Sequence, residues 1–129
     1  MGDLSTHFSE REFKCGCGCG LMNAKGRLLV TLDAIREEVG KEVNVGSGCR
    51  CEAWNRRWGG ANESGHLTGE AADIWVRGMD NHQLGELIKR MHAAGRLPLL
   101  RYCYLVKGTT GTRVHVGVDE KRRSRIFAF

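Results

Sequence analysis

Ser64-Gly65-His66-Leu67-Thr68-Gly69-Glu70-Ala71-Ala72-Asp73 sets an imidazole and a carboxylate seven positions apart, with two glycines and two alanines around them. Ile74-Trp75-Val76 follows at once, a β-branched and aromatic run that predicts a buried strand over 73–77. This places Asp73 at the mouth of that strand and His66 on the loop that feeds it. Small residues let such a loop fold tightly enough for both side chains to reach one point. Imidazole nitrogen with carboxylate oxygen is a donor set that suits zinc. A third ligand would complete a site with an open position for water.

The rest of the chain is read outward from that segment. Its 129 residues fit a single domain, 1–129, long enough to bury a hydrophobic core. An apolar content of 41% with 27% charged residues is that of an ordinary globular protein. No apolar run approaches the roughly 18–20 residues that span a bilayer. Met1-Gly2-Asp3-Leu4-Ser5 lacks the basic and apolar regions of a signal peptide, which leads us to expect a chain that is cytoplasmic as synthesised. The formal charge of +5 is concentrated near Glu120-Lys121-Arg122-Arg123-Ser124-Arg125 and points to an anionic partner or surface. A phosphate- and carboxylate-rich cell wall meets that description. Nucleic acid is not expected as a partner, because charge alone supports it.

Taken in order, Ser9 caps a helical turn reaching Phe13, and the Cys15-Gly16-Cys17-Gly18-Cys19-Gly20 run is too glycine-rich for a regular element. Leu28, Leu32, Ile35 and Val39 form one apolar stripe, predicting a helix over 26–39 that Gly40 closes. Residues 42–47 alternate as a short strand with Val43 and Val45 inward, and 52–57 make a short helix. Asp80 or Asn81 caps a second amphipathic helix with Leu84, Leu87, Ile88 and Met91 on one face. Strands over 100–106 and 112–118 are joined by the turn Gly108-Thr109-Thr110-Gly111, and 126–129 offers a closing strand. This order predicts an α+β fold, with two main helices packed on a mainly antiparallel sheet.

His115 lies between Val114 and Val116 inside the last long strand. Taken alone it reads equally as a hydrogen-bonded core histidine. With His66 and Asp73 it completes a three-ligand metal set.

At this point the chain resembles the zinc D-alanyl-D-alanine carboxypeptidase family, which shares its fold with the amino-terminal domain of hedgehog proteins and includes endopeptidase endolysins of phages. Ser64-x-His66-x-x-Gly69-x-Ala71-x-Asp73 matches the family's metal motif, and His115-Val116 its last ligand. Phe8-Ser9 to Phe13-Lys14-Cys15 resembles its first segment, and 28–40 its first helix. Ser47-Gly48-Cys49-Arg50-Cys51, with Asn55 and Gly59-Gly60, resembles its substrate-side turn. The resemblance implies Zn²⁺ on His66, Asp73 and His115, with Arg50 meeting a carboxylate or carbonyl of the peptide substrate. A planar, permanently charged fork can bind a carboxylate at two points. It further implies that Ser64 orients the His66 loop or touches substrate. The implied activity is hydrolysis of a peptidoglycan stem peptide or cross-bridge, on the cell wall if the chain is released at lysis.

Two positions depart from the pattern. A general base is needed to take a proton from the metal-activated water. Relatives carry a carboxylate or histidine two or three residues before the last ligand, where this chain has Arg113 and Thr112. Relatives also carry an aspartate two residues after that ligand, where this chain has Gly117. Asp119 is about 13 Å along an extended strand from His115. Glu70, His92, Tyr102 and Tyr104 remain as donors, with Glu70 free to point to solvent, and spacing selects none of them. The missing base keeps a second reading open: a non-catalytic, zinc-stabilised binding or structural module of the same fold.

The six cysteines leave three readings. They are free thiols, disulfides, or a second, structural zinc site built from Cys15, Cys17 and Cys19 with Cys49 or Cys51. Cys-x-Cys differs from the usual Cys-x2-Cys spacing. Cys103, between Tyr102 and Tyr104, reads as core packing.

Overall fold

In the computed structural model, which describes residues 2–61, 64–108, 111–119 and 127–128, the valine- and aromatic-rich runs pair into one sheet. The elements are α1 (Glu10–Phe13), α2 (Gly26–Val39), β1 (Asn44–Ser47), α3 (Glu52–Arg57), β2 (Ala71–Trp75), α4 (Asn81–Ala93), β3 (Tyr102–Gly108), β4 (Gly111–Gly117) and β5 (Phe127–Ala128). The spatial order is β1-β2-β4-β3-β5. Every neighbouring pair is antiparallel except β3–β5, which is parallel. The class is α+β.

Strand alternation divides the sheet into two unlike faces. Ala72, Ile74, Val114, Val116 and Cys103 belong to the buried core, with Leu28, Leu32 and Ile35 of α2 and Leu84, Ile88 and Met91 of α4. Truncating one of these fully buried aliphatic side chains to alanine costs about 2–5 kcal/mol. The alternate positions Asp73, Tyr104, Arg113 and His115 line a cleft. The helices therefore hold the sheet from behind, and its chemistry faces the other way.

Local signals set the helix ends. Gly40 closes α2 at φ 73°, a left-handed turn that costs glycine nothing. Asp80 is the cap of α4: its carboxylate accepts from the His82 N–H, and Gln83 reaches back to the Asp80 N–H.

Three expectations need correction. β2 begins at Ala71, so Asp73 is at mid-strand and not at its mouth. Ala71 and Ala72 are small enough to pair directly with Gly117 and Val116, which extends the ladder backward. β3 begins at Tyr102, after Leu97 and Leu100 have turned into the core. Glu70 does not point to solvent: it is buried and ion-paired with Arg27. Asn62, Thr109, Thr110, the basic run 120–125, Ile126 and Phe129 lie outside the described residues. Among the described residues no helix is long and apolar enough to cross a membrane.

Candidate metal centre

The loop before β2 is wound tightly. Leu67 N–H donates to the Ser64 carbonyl, and Thr68 and Glu70 N–H both donate to that of Gly65. Gly69 makes the winding possible, with φ 72° and a site where a Cβ would lie 1.9 Å from the Asn23 carbonyl oxygen. Ser64 Oγ accepts from the His66 N–H at 3.2 Å within this loop, and Ser64 also lines the cleft. The turn after β1 brackets His66: Arg50 N–H donates to its carbonyl at 3.0 Å, and its Nδ1 lies 2.7 Å from the Gly48 carbonyl.

The Gly48 contact fixes the imidazole. A carbonyl can only accept, so Nδ1 carries the hydrogen and Nε2 presents its lone pair. That Nε2 faces Asp73 Oδ2 at 3.3 Å. On the neighbouring strand His115 is the register partner of Asp73, and its Nδ1 lies 2.7 Å from Asp73 Oδ1. Ligand atoms of His66, Asp73 and His115 all lie within 4.8 Å of one another, and all three residues are buried. Two imidazole nitrogens converging on one buried carboxylate fit a zinc ion, which takes nitrogen and oxygen donors at about 2.0–2.2 Å. Burial alone would raise the Asp73 carboxyl. The hydrogen bond from His115, with the His66 imidazole beside it, outweighs burial and holds that carboxyl well below the ordinary carboxylate range.

Arg50 reaches the same carboxylate. Its Nη2 is 3.4 Å from Asp73 Oδ2, Nη1 donates to Asn55 Oδ1 at 3.2 Å, and Nε donates to Ser47 Oγ at 3.0 Å. Burial lowers the guanidinium pKa while the charge of Asp73 opposes that shift. Asn55 is itself buried and donates to the Ala61 carbonyl at 2.9 Å, tying the Arg50 side chain to the loop at Gly59-Gly60. The cleft in front has a volume of about 470 Å³. Its walls carry Lys14, Arg50 and Arg113 with Trp54, Trp58 and Tyr104, and among the described residues Glu12 is the one carboxylate there besides Asp73.

A family model described as Peptidase M15 matches residues 6–105, more than three quarters of the chain. The chain belongs to the Peptidase M15 family. No curated protein matches it significantly. M15 peptidases are zinc peptidases, and the family supports zinc-dependent action on peptidoglycan peptides in general. The matched stretch contains His66 and Asp73 and stops before His115. His115 is joined to them by strand register.

The structure sorts the remaining donors. Glu70 is paired with Arg27, which together with burial and a Thr68 hydrogen bond fixes it away from the cleft. His92 is on α4, behind the sheet. Tyr102 donates to Asp119 and does not line the cleft. Tyr104 does line it, stacked on the His115 ring at 4.5 Å between centroids. Glu12 lines the cleft too, but its carboxylate accepts from the Ser9 N–H in the cap of α1. The sequence hinted at the Tyr104 placement: Tyr102 and Tyr104 alternate on the strand preceding the His115 strand. Only the register Tyr104↔His115 makes the hint usable.

All six cysteines are thiols. Cys103 and Cys49 are buried, and burial pushes both up. Cys49 Sγ accepts from the Asn23 N–H at 3.3 Å, which keeps it out of the cysteine group formed by Cys15, Cys17, Cys19 and Cys51. For Cys15, burial acts upward, but hydrogen bonds at Cys17 and Cys51 prevail and lower it to about 7.

Proposed function

We propose that the chain is a zinc metallopeptidase that cleaves peptidoglycan peptides, with His66, Asp73 and His115 as ligands. The observation that carries this reading is the convergence of His66 Nε2 and His115 Nδ1 on the two oxygens of Asp73 at the floor of a cationic cleft. Zinc held there would polarise the scissile carbonyl and lower the pKa of water to about 7. Arg50, held in its plane by Ser47 and Asn55, binds a carboxylate or carbonyl of the stem peptide. Arg113, whose guanidinium stacks over Trp75 at 5.2 Å, adds charge for the same anionic peptide.

The Tyr104 phenol is the proton donor of this reading. It lines the cleft within electrostatic reach of Arg50 and beside His115. From there it can donate to the oxyanion or to the departing amine. A chain of this kind suits an endolysin or a carboxypeptidase, made in the cytoplasm and meeting the wall at lysis.

The alternative, a zinc-stabilised module without turnover, is favoured by one feature: among the described residues the one other carboxylate in the cleft, Glu12, is engaged in a helix cap. Digestion of purified peptidoglycan with mass spectrometry of the fragments separates the two. New amino termini within stem peptides, absent for His115→Ala, establish the peptidase. Intact peptides in the presence of fully zinc-loaded protein establish the module.

A further inference from the structure

Beside the cleft, and separate from the His66–Asp73–His115 group, four cysteines meet. Ligand sulfurs of Cys15, Cys17, Cys19 and Cys51 all lie within 4.8 Å of one another. The separations are 3.5 Å for Cys15–Cys17, 3.8 Å for Cys15–Cys51 and 3.7 Å for Cys17–Cys51. Four sulfurs placed tetrahedrally around zinc at about 2.3 Å stand about 3.8 Å apart. Cys15, Cys17 and Cys51 thus already hold the spacing of such a shell, with the Cys19 sulfur within 4.8 Å of each.

The backbone is shaped for it. Cys15 N–H donates to the Leu21 carbonyl at 2.9 Å, closing 15–21 into a loop, and Gly18 N–H returns to the Cys15 carbonyl at 3.2 Å. Gly18 and Gly20 turn at φ 87° and 86°, which lets alternate cysteines point to one centre despite the Cys-x-Cys spacing. The fourth sulfur comes from across the fold, at the cap of α3. Backbone N–H groups are aimed at the sulfurs: Cys51 N–H at Cys15 Sγ, 3.4 Å, and Trp54 N–H at Cys51 Sγ, 3.5 Å. Such donors stabilise thiolates and orient them as ligands.

We infer that Cys15, Cys17, Cys19 and Cys51 form a second, structural zinc site that fastens the 15–21 loop to the start of α3. An all-thiolate, four-coordinate shell is closed, so the ion has no position for substrate and its role is structural. Its position gives it a use. Cys51 adjoins Arg50, and Gly16, inside the loop, lines the cleft against Trp54. The ion would anchor the wall that presents Arg50.

Metal counting on the purified, reduced full-length chain tests this without any peptidase assay. Plasma mass spectrometry should find two zinc per chain, falling to one in Cys17→Ser and to one in His66→Ala. Cobalt loading of the wild-type chain guards against a variant that fails to fold. It should give thiolate-to-cobalt charge-transfer absorption, and that absorption should persist in His66→Ala. Cobalt uptake with no such band overturns the inference. So does a single zinc that disappears in His66→Ala, or iron in place of the second zinc. Failure of the His66 site instead would leave one thiolate-bound zinc in the wild type, so the two readings fail separately.

Discussion

The ring of Tyr102 occupies the volume that a side chain at Gly117 would need. The two are register partners on β3 and β4, and a Cβ at 117 would lie 2.1 Å from Tyr102 Cζ. The glycine that departs from the family pattern thus has a packing cause. Tyr102 stacks on His115 at 5.4 Å and donates its hydroxyl to the buried carboxylate of Asp119. Gly117→Ala should therefore cost about 1–3 kcal/mol, the usual penalty of overpacking. Urea unfolding checks the size. Combining it with Tyr102→Ala should cost less than the sum of the two single changes, because one vacated ring makes room for the new methyl.

Tyr104→Phe keeps the ring on His115 and removes only the hydroxyl. If that hydroxyl serves the transition state, kcat should fall by about 10²–10³, the usual loss for one such donor. KM and zinc content should stay put. A variant with unchanged kcat would remove Tyr104 from the mechanism.

Arg50→Lys keeps the charge but loses the planar fork that Ser47 and Asn55 hold in place. One charge-assisted hydrogen bond is worth about 1.5–3 kcal/mol, so kcat/KM should drop by roughly 10- to 100-fold, mostly through KM. Steady-state kinetics on a stem peptide reads the split directly.

Zinc titration should raise the melting temperature of the wild-type chain, each site adding about 2.7 kcal/mol of stability at free zinc 100-fold above its Kd. His115→Ala should lose the share of this gain that comes from the cleft site. Differential scanning fluorimetry with and without a chelator measures both.

Glu70 links the metal loop to α2 through Arg27, and its carboxyl is held below the ordinary range, with burial opposing and the Thr68 and Arg27 hydrogen bonds prevailing. A depressed native carboxyl stabilises the fold above its unfolded pKa, and that stability fades as pH falls through the native value. Glu70→Gln should therefore flatten the acid limb of stability. The neutral-pH cost should be on the order of 1 kcal/mol or less, since half of the Arg27 side chain is exposed and the pair is screened. Equilibrium unfolding at several pH values between neutral and acid reads the slope.

Much of this was legible in the residues. The 3.6-residue stripes of Leu28–Ile35 and Leu84–Met91 gave the two helices, and the Ser64–Asp73 spacing gave two members of the candidate metal group, because both signals are local. The start of β2 was missed because Ala71 and Ala72 have little strand preference of their own, and their partners Val116 and Gly117 recruit them. Whether Glu70 served the site or met solvent stayed open because its partner, Arg27, is 43 residues away. Choosing among Glu70, His92, Tyr102 and Tyr104 required knowing which face of which strand meets His115. That is register, and spacing does not carry it.

The cross-strand pairing of Asp73 with His115 has a temporal consequence. Their 42-residue separation means that neither the chain emerging from a ribosome nor a partly folded intermediate possesses a complete cleft site before β2 and β4 have zipped together. The three-residue group of His66, Asp73 and His115 is thereby complete only once β2 and β4 have paired. On the proposed reading, a chain whose β2 and β4 have not yet met would hold neither the cleft ion nor the activity that depends on it.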